Sequence, residues 1–255
     1  MKNIYIMGAG VQAGVAIEAL RAFYGGQYRV AGLYDDARRG TAHHLRILGK
    51  VEKALQDLAP EDGVHIAFGT YASSKALGLI AEFQRKGMEV INIVSPRANI
   101  ATSAKIGVNA RILSGTYIGH EVRIGRSFTA HGNCAVEHNT RIGDNVLLGP
   151  GAALAGYVVL GSHCFVGAGV SIAPGVKIGH GVLLGTGAVV VKDIPDGVVA
   201  YGCPARPMRD TRTGDEVPPL KALRKLGLKD TDIDPEHLAH GGLVRRGQII
   251  APVPD

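Results

Sequence analysis

VEHNTRIGDNVLLGPGAALAG, residues 136–156, decides the fold. Cut into sixes it reads VEHNTR, IGDNVL, LGPGAA and LAG. An aliphatic residue returns at every sixth position and is usually followed by Gly. Extended in both directions, the pattern runs from 94 to 195 as seventeen hexads without an insertion, and sixteen of them begin with Ile, Leu or Val. The exception is Ala130. The fifth position is always Ala, Val, Thr, Cys, Ile or Phe. One aliphatic and one usually small inward residue per hexad suit short parallel strands coiled around a narrow core. A 3.6-residue period would scatter these aliphatics around a helix, and simple alternation does not produce a strict six. Cys134 and Cys164 fall on the small inward position and read as core filler.

Upstream, residues 1–93 alternate between short apolar runs and helical periodicity. NIYIMG, YRVAGLY, VHIAFG and EVINIV read as strands, and VQAGVAIEALRAFY, VEKALQDLA and SSKALGLIAEFQRKG as helices. This order predicts a small Rossmann-like parallel α/β sheet. GAGVQAG joins the first strand to its helix and places Gly8, Gly10 and Gly14 where backbone amides can approach a ligand at a helix N-terminus. The spacing is not the GxGxxG dinucleotide fingerprint, so NAD is not expected. Asp35 and Asp36 follow the second strand, where an acidic pair either meets a ribose or base or caps a loop. Downstream, residues 209–255 leave the repeat; PPLKALRKLG and DPEHLAHGG have the Pro or Asp starts and Gly stops of short helices. The expected organisation is therefore 1–93, a Rossmann-like α/β domain, 94–208, a β-helix, and 209–255, a short extension of unknown role.

Composition excludes several functions. No apolar run approaches the roughly 18 residues of a membrane span, and the N-terminus enters a strand pattern rather than a signal peptide, so a cytoplasmic protein without membrane association is expected. The net charge of +6 is spread singly: +11 and −9 over residues 1–93, +9 and −5 over 94–208, and +8 and −8 over 209–255. There is no basic run with interleaved aromatics, so nucleic acid is not an expected partner. Three cysteines without CxxC spacing indicate neither a disulfide framework nor a metal site.

These residues resemble the hexapeptide-repeat sugar acetyltransferases that carry an N-terminal α/β domain, typified by sialic acid O-acetyltransferase and the UDP-4-amino-sugar N-acetyltransferase of bacillosamine synthesis. IYIMGAG with YDD, VEHNTRIGDNVLLGPGAALAG, and GTGAVVVKDIPDGVVAYGCPARPM carry the likeness, which covers residues 1 to about 208. The resemblance implies a left-handed coil of 18 residues per turn, a homotrimer with sites between neighbouring coils, acetyl-CoA as donor and a nucleotide-linked amino sugar as acceptor, held partly by residues 1–93 as a nucleotide-sugar-binding domain.

With 18 residues per turn, positions 18 apart lie one rung apart, roughly 4.8 Å. His138 then stands between His120 and Gly156. An amine attacking a thioester must lose a proton, and His, which titrates near neutrality, suits a general base. His138 is the candidate base and the Gly156 N–H the candidate oxyanion donor. Glu137 and Asn139 flank the base; the family's usual acidic residue after this His is replaced by Asn139, and a second His of some members by Asn145. The family's Gly-His-Gly first loop reads VQA, and the turn after the fourth strand reads GTYASS. Gly8, Gly10, Asp35, Asp36, His120 and His131 are candidates for the acceptor. Gly156, Gly167, Ala168, Gly185, Lys192, Arg206 and Arg209 are candidates for the CoA arm. O-acetylation of a sugar such as sialic acid, a zinc hydratase on the same coil and a non-catalytic binding repeat are the alternatives. His131 and His138 on different faces, with no well-spaced third ligand, argue against zinc.

Overall fold

The structure, a computed structural model, describes residues 1–68, 73–212 and 215. The two short helices expected at 218–227 and 234–242, and most of the GTYASS turn, lie outside the described residues.

The N-terminal unit has nine elements: β1 Lys2–Met7, α1 Val11–Tyr24, β2 Tyr28–Tyr34, β3 Thr41–Ala42, β4 Leu45–Gly49, α2 Val51–Asp57, β5 Gly63–Ile66, α3 Ser73–Arg85 and β6 Glu89–Val90. The sheet order is β3-β4-β2-β1-β5-β6, parallel throughout except for the β3–β4 hairpin. The strand β1 is central, so Ile4, Ile6 and Met7 are fully buried. The helix α1 buries Ala13, Ala16, Ile17, Leu20 and Tyr24, an i, i+3, i+4, i+7 stripe, against the sheet and the start of the coil.

EVINIV divides between two structures. Glu89–Val90 completes the α/β sheet, whereas Ile93–Val94 pairs with Arg111–Ile112 and is the first strand of the coil. The division expected between residues 93 and 94 falls inside that strand. From there the chain is a left-handed parallel β-helix of two-residue strands on three faces. The first face runs Ile93–Val94, Arg111–Ile112, Thr129–Ala130, Leu147–Leu148, Phe165–Val166, Leu183–Leu184; the second begins at Asn99–Ile100 and the third at Lys105–Ile106. Each register advances by 18 residues, as in Tyr117↔Ala135 and Ala135↔Ala153. The repeat's aliphatic and small positions both point inward and form one continuous core, with Cys134 and Cys164 inside it. A hairpin of Val198–Gly202 and Ala205–Asp210 closes the last turns.

Two features make the coil regular. Its corners pass through the left-handed region every six residues, at Asn109, Gly115, Glu121, Ser127, Asn133, Asn139, Asn145, Gly151, Tyr157, His163 and Gly169. Gly and Asn pay least for that conformation. This accounts for Asn139 and Asn145, the departures from the family pattern: both hold corners, at φ 58° and 54°. Second, a Cβ on the glycine after the aliphatic residue would strike the neighbouring rung. At Gly161 it would lie 2.5 Å from the Gly179 carbonyl.

The two units are joined by buried polar contacts. The Tyr24 hydroxyl donates to the Val94 carbonyl (3.1 Å) and accepts from its N–H (2.9 Å). Asn109 accepts from the Ile66 N–H at 2.8 Å and donates to the Ile66 carbonyl at 3.0 Å, as a strand neighbour would. The fully buried Arg111 guanidinium donates to the Gln12 carbonyl (3.1 Å), to the Gln12 side-chain oxygen and to Thr129 Oγ1 (3.3 Å), and so ties the glycine turn to the first face of the coil.

Candidate active site

The corner between the second and third faces carries the candidate base. Three hydrogen bonds define its stack: Asn139 N–H to the His120 carbonyl at 2.8 Å, Tyr157 N–H to the His138 carbonyl at 3.0 Å, and Gly175 N–H to the Gly156 carbonyl at 3.0 Å. His120, His138 and Gly156 therefore occupy three successive rungs. The exposed His138 ring lies over the Gly156 α-carbon; a methyl group there would stand 2.6 Å from Cε1 and 2.7 Å from Nε2. Gly156 is not one of the rung-packing glycines. It is the third residue of its hexad, and what it leaves room for is this imidazole.

The His138 Nδ1–H donates to Asn139 Oδ1 at 3.2 Å. In that tautomer Nε2 keeps its lone pair, which is the form a general base needs. The neighbouring carboxylate of Glu137 makes no hydrogen bond or ion pair with the ring. His120 turns the other way: its Nδ1 meets Ser103 Oγ at 3.0 Å, one rung back, and Ser103 also caps the Glu121 N–H at 3.0 Å. The His138 ring instead meets Tyr157 edge to face, with centroids 5.2 Å apart. Tyr157 was missed in the sequence, although it lies 18 residues beyond Asn139 and rung arithmetic places it at this corner.

His131 is elsewhere. It begins the corner between the first and second faces, where burial, reinforced by the positive charge of Arg111, pulls its pKa below the usual histidine range. The strand Ala135–Val136 separates it from His138.

In the glycine turn, Gly8 has φ 111° and its N–H donates to the Tyr34 carbonyl at 2.7 Å. Gly10 is the N-cap residue of α1, and its carbonyl accepts from His43 Nε2 at 2.9 Å. A Cβ at Gly14 would lie 2.8 Å from the His43 ring, so this glycine makes room for that side chain. Between α1 and the coil lies an apolar groove of about 860 Å³ lined in part by Val11, Val15, Phe23, His43 and Leu113. The acidic pair is engaged within the protein. Asp35 accepts from the N–H groups of Ala9, Ala37 and Arg38 at 2.7–2.9 Å. Asp36 accepts from the Val51 N–H at 3.0 Å and pairs with Lys75, whose hydrogen bond holds the carboxyl below its ordinary pKa. Both aspartates cap loops, the second of the two readings open for them in the sequence.

Toward the far end of the coil, Gly167 and Gly185 serve rung packing: a Cβ would lie 2.6 Å from Thr186 N and 2.8 Å from Tyr201 Cβ respectively. Ala168 is half-buried beside them, and Lys192 and Arg206 are exposed. Arg209 is held by Asp215 in a bidentate ion pair with both contacts at 2.8 Å, which pulls the carboxyl of Asp215 down to about 2. Among the described residues, no group of three or more His, Cys, Asp or Glu is arranged to hold a metal, and no helix is long and apolar enough to cross a membrane.

Comparison with known proteins gives this geometry its context. Residues 3–77 match the PglD N-terminal domain family and residues 157–192 the bacterial transferase hexapeptide (six repeats) family. The chain is similar to PerB from Caulobacter crescentus, solved with CoA and GDP-perosamine: 30% identity, a TM-score of 0.73, and coverage of 82% of this chain and 98% of that one. A histidine-to-alanine mutant of the GDP-perosamine N-acetyltransferase from the same organism, in complex with the same two ligands, matches at 29% identity and a TM-score of 0.74, covering 82% and 98%. The acetyltransferase domain of PglB from Neisseria gonorrhoeae FA1090, in complex with acetyl coenzyme A, matches at 26% identity and a TM-score of 0.73, covering 81% and 99%. No curated protein matches at the sequence level.

Proposed function

The chain belongs to the hexapeptide-repeat sugar acetyltransferases with a PglD-type N-terminal domain, and from that premise we propose that it transfers an acetyl group from acetyl-CoA to the amine of a nucleotide-linked amino sugar, with His138 as general base. The observation that carries this reading is the His138 ring lying over the bare backbone of Gly156, its Nδ1 engaged by Asn139 and its Nε2 lone pair unused.

The chemistry follows from that arrangement. The neutral amine attacks the thioester carbonyl carbon; an N–C bond forms as the C–S bond breaks. The proton lost by nitrogen passes to His138 Nε2 and then to the departing sulfur, giving an amide and free CoA thiol. No acyl-enzyme is needed, and the buried Cys134 and Cys164, whose thiols burial pushes up to about 11 and about 12, are unsuited to form one. The Gly156 N–H has no backbone acceptor among the described residues, which suits it to the developing oxyanion. Asn139, rather than an acidic residue, sets the tautomer of the base, and Glu137 adds negative charge to the corner. The glycine turn at Gly8 and Gly10, with Asp35 and Asp36 shaping its rim, takes the nucleotide. His120 and His131 border the coil on the acceptor side. Gly167, Ala168 and Gly185 admit the CoA arm, with Lys192 and Arg206 for its phosphates. Arg209, engaged by Asp215, is the least available of these cations. Several outward residues of the second face, among them Ala135, Ala153 and Ala155, are small and apolar and suit the contact between neighbouring coils of a homotrimer.

The test is acceptor consumption. The protein is incubated with acetyl-CoA and, separately, GDP-perosamine, a UDP-linked 4-amino sugar, their 4-hydroxy counterparts and sialic acid, and released CoA thiol is measured. Release with an amino sugar is expected. Release with sialic acid alone redirects the reading to O-acetylation, and no release with any acceptor overturns it.

A further inference from the structure

The corner that carries His138 contains a residue whose large side chain neither packing nor the coil's corner geometry accounts for. One rung apart along this corner stand Glu121, Asn139, Tyr157 and Gly175, with φ of 54°, 58°, 62° and 73°. A left-handed backbone is disfavoured for a bulky side chain, and residues kept in it mark functional sites more often than chance allows. Among the described left-handed residues, Tyr157 is the only Tyr or Phe. Its ring gains little from burial, being 60% exposed, and its hydroxyl makes no hydrogen bond among the described residues. The ring's principal contact is with the candidate base, at 5.2 Å and an interplanar angle of 86°. A strained, exposed aromatic edge to face with a catalytic imidazole is not a packing solution; a ligand gives it a purpose.

We propose that Tyr157 is a specificity-determining residue that receives the acceptor's amine in its ammonium form, holding the cation against the aromatic face beside His138. The inference rests on the acetyl-transfer reading above and adds a reason for choosing amines over hydroxyls. A sugar amine is predominantly cationic at neutral pH, and an aromatic ring attracts a cation within about 6 Å of its centroid. Glu137, flanking His138 with its carboxylate engaged by neither His138 nor a described cation, adds to the same preference. A neutral hydroxyl carries no charge for the ring face or the carboxylate to attract. After docking, the ammonium gives its first proton to water; the resulting amine attacks, and its second proton follows the route through His138 to sulfur.

The test compares wild type, Tyr157→Asn and Tyr157→Phe on the amino sugar that wild type acetylates best of GDP-perosamine and its UDP-linked 4-amino counterpart. Thermal unfolding is measured alongside. Asn is the residue at the adjacent corner position 139 and fits the left-handed backbone, so the Asn variant is expected to melt no lower than wild type. Its KM for the amino sugar should rise about fivefold to tenfold, the scale of a partly desolvated cation–π contact, with kcat changed much less. The matched hydroxy sugar, read as a competitive inhibitor of the amino sugar, should bind Tyr157→Asn and wild type with equal affinity. Tyr157→Phe, which keeps the ring face, should restore most of the affinity. An unchanged KM in Tyr157→Asn, or a Phe variant as impaired as the Asn variant, overturns the assignment while leaving the acetyl-transfer reading intact. Failure of wild type to use either amino sugar overturns both.

Discussion

The two halves of the molecule place candidate ligand groups by different rules. In the coil, each residue's address follows from its position modulo 18, so an outward side chain at a corner has known neighbours above and below. His138 over Gly156 is a consequence of that arithmetic. In the α/β unit the same residue types serve the chain itself: Asp35 closes a loop with three backbone N–H groups, and Gly14 accommodates His43. A motif in a repetitive scaffold is thus read by geometry. A motif in a loop must first be tested for whether the fold uses it up.

That contrast breaks most visibly in acid. His65, fully buried in β5 with Nδ1 donating to the Ile91 carbonyl at 3.1 Å, is pushed down to about 3 by burial and then by Arg111. His163, in a coil corner, is pushed down to about 4, mainly by burial. Both folded values lie below the unfolded value of about 6.5. Their contribution is therefore complete above that pH and is lost as pH falls toward the folded values. Together they should remove roughly 3–4 kcal/mol between pH 7 and pH 5. Urea unfolding at the two pH values checks this, and His65→Gln should remove about half of the pH dependence.

Within the coil, two glycines separate packing from chemistry. Gly161→Ala drives a Cβ into the neighbouring backbone at 2.5 Å and should cost about 1–3 kcal/mol. Gly156→Ala meets the imidazole first, and that side chain can rotate away. It should cost less than about 1 kcal/mol but reduce acetyl transfer at least about tenfold by displacing the base. Equal stability losses in the two variants, with activity retained at 156, would erase the distinction. The smallest effect belongs to the α/β loop: Asp35→Ala should lower stability by about 1 kcal/mol through lost capping bonds, measurable as a shift in the urea midpoint.

The coil was legible in detail because every hexad repeats one physical instruction, two inward residues and a corner. The deviant corners then stood out. What escaped notice was the reason for some of them. Asn139 and Asn145 look like lost catalytic partners in sequence, and only their backbone angles identify them as corner residues. Tyr157 was passed over because a lone aromatic carries no period. The β3–β4 hairpin was invisible for a related cause: its turn is made by His43 and His44, both left-handed at φ 50° and 61°, instead of the Asn-Gly type of pair that signals such a turn. EVINIV read as one strand because apolar continuity hides the point where Ile93 changes partners. Asp35 and Asp36 were visible as a pair, but whether an aspartate faces a ligand or its own loop depends on amides that the sequence does not locate.

The central claim, that the proton of the reaction passes through His138, is tested most directly by the turnover of His138→Ala with acetyl-CoA and the preferred amino sugar. CoA binding and thermal unfolding are measured on the same preparation. The account predicts a loss of about 10²- to 10⁴-fold in kcat, with binding and melting essentially preserved; full turnover by the variant would contradict it.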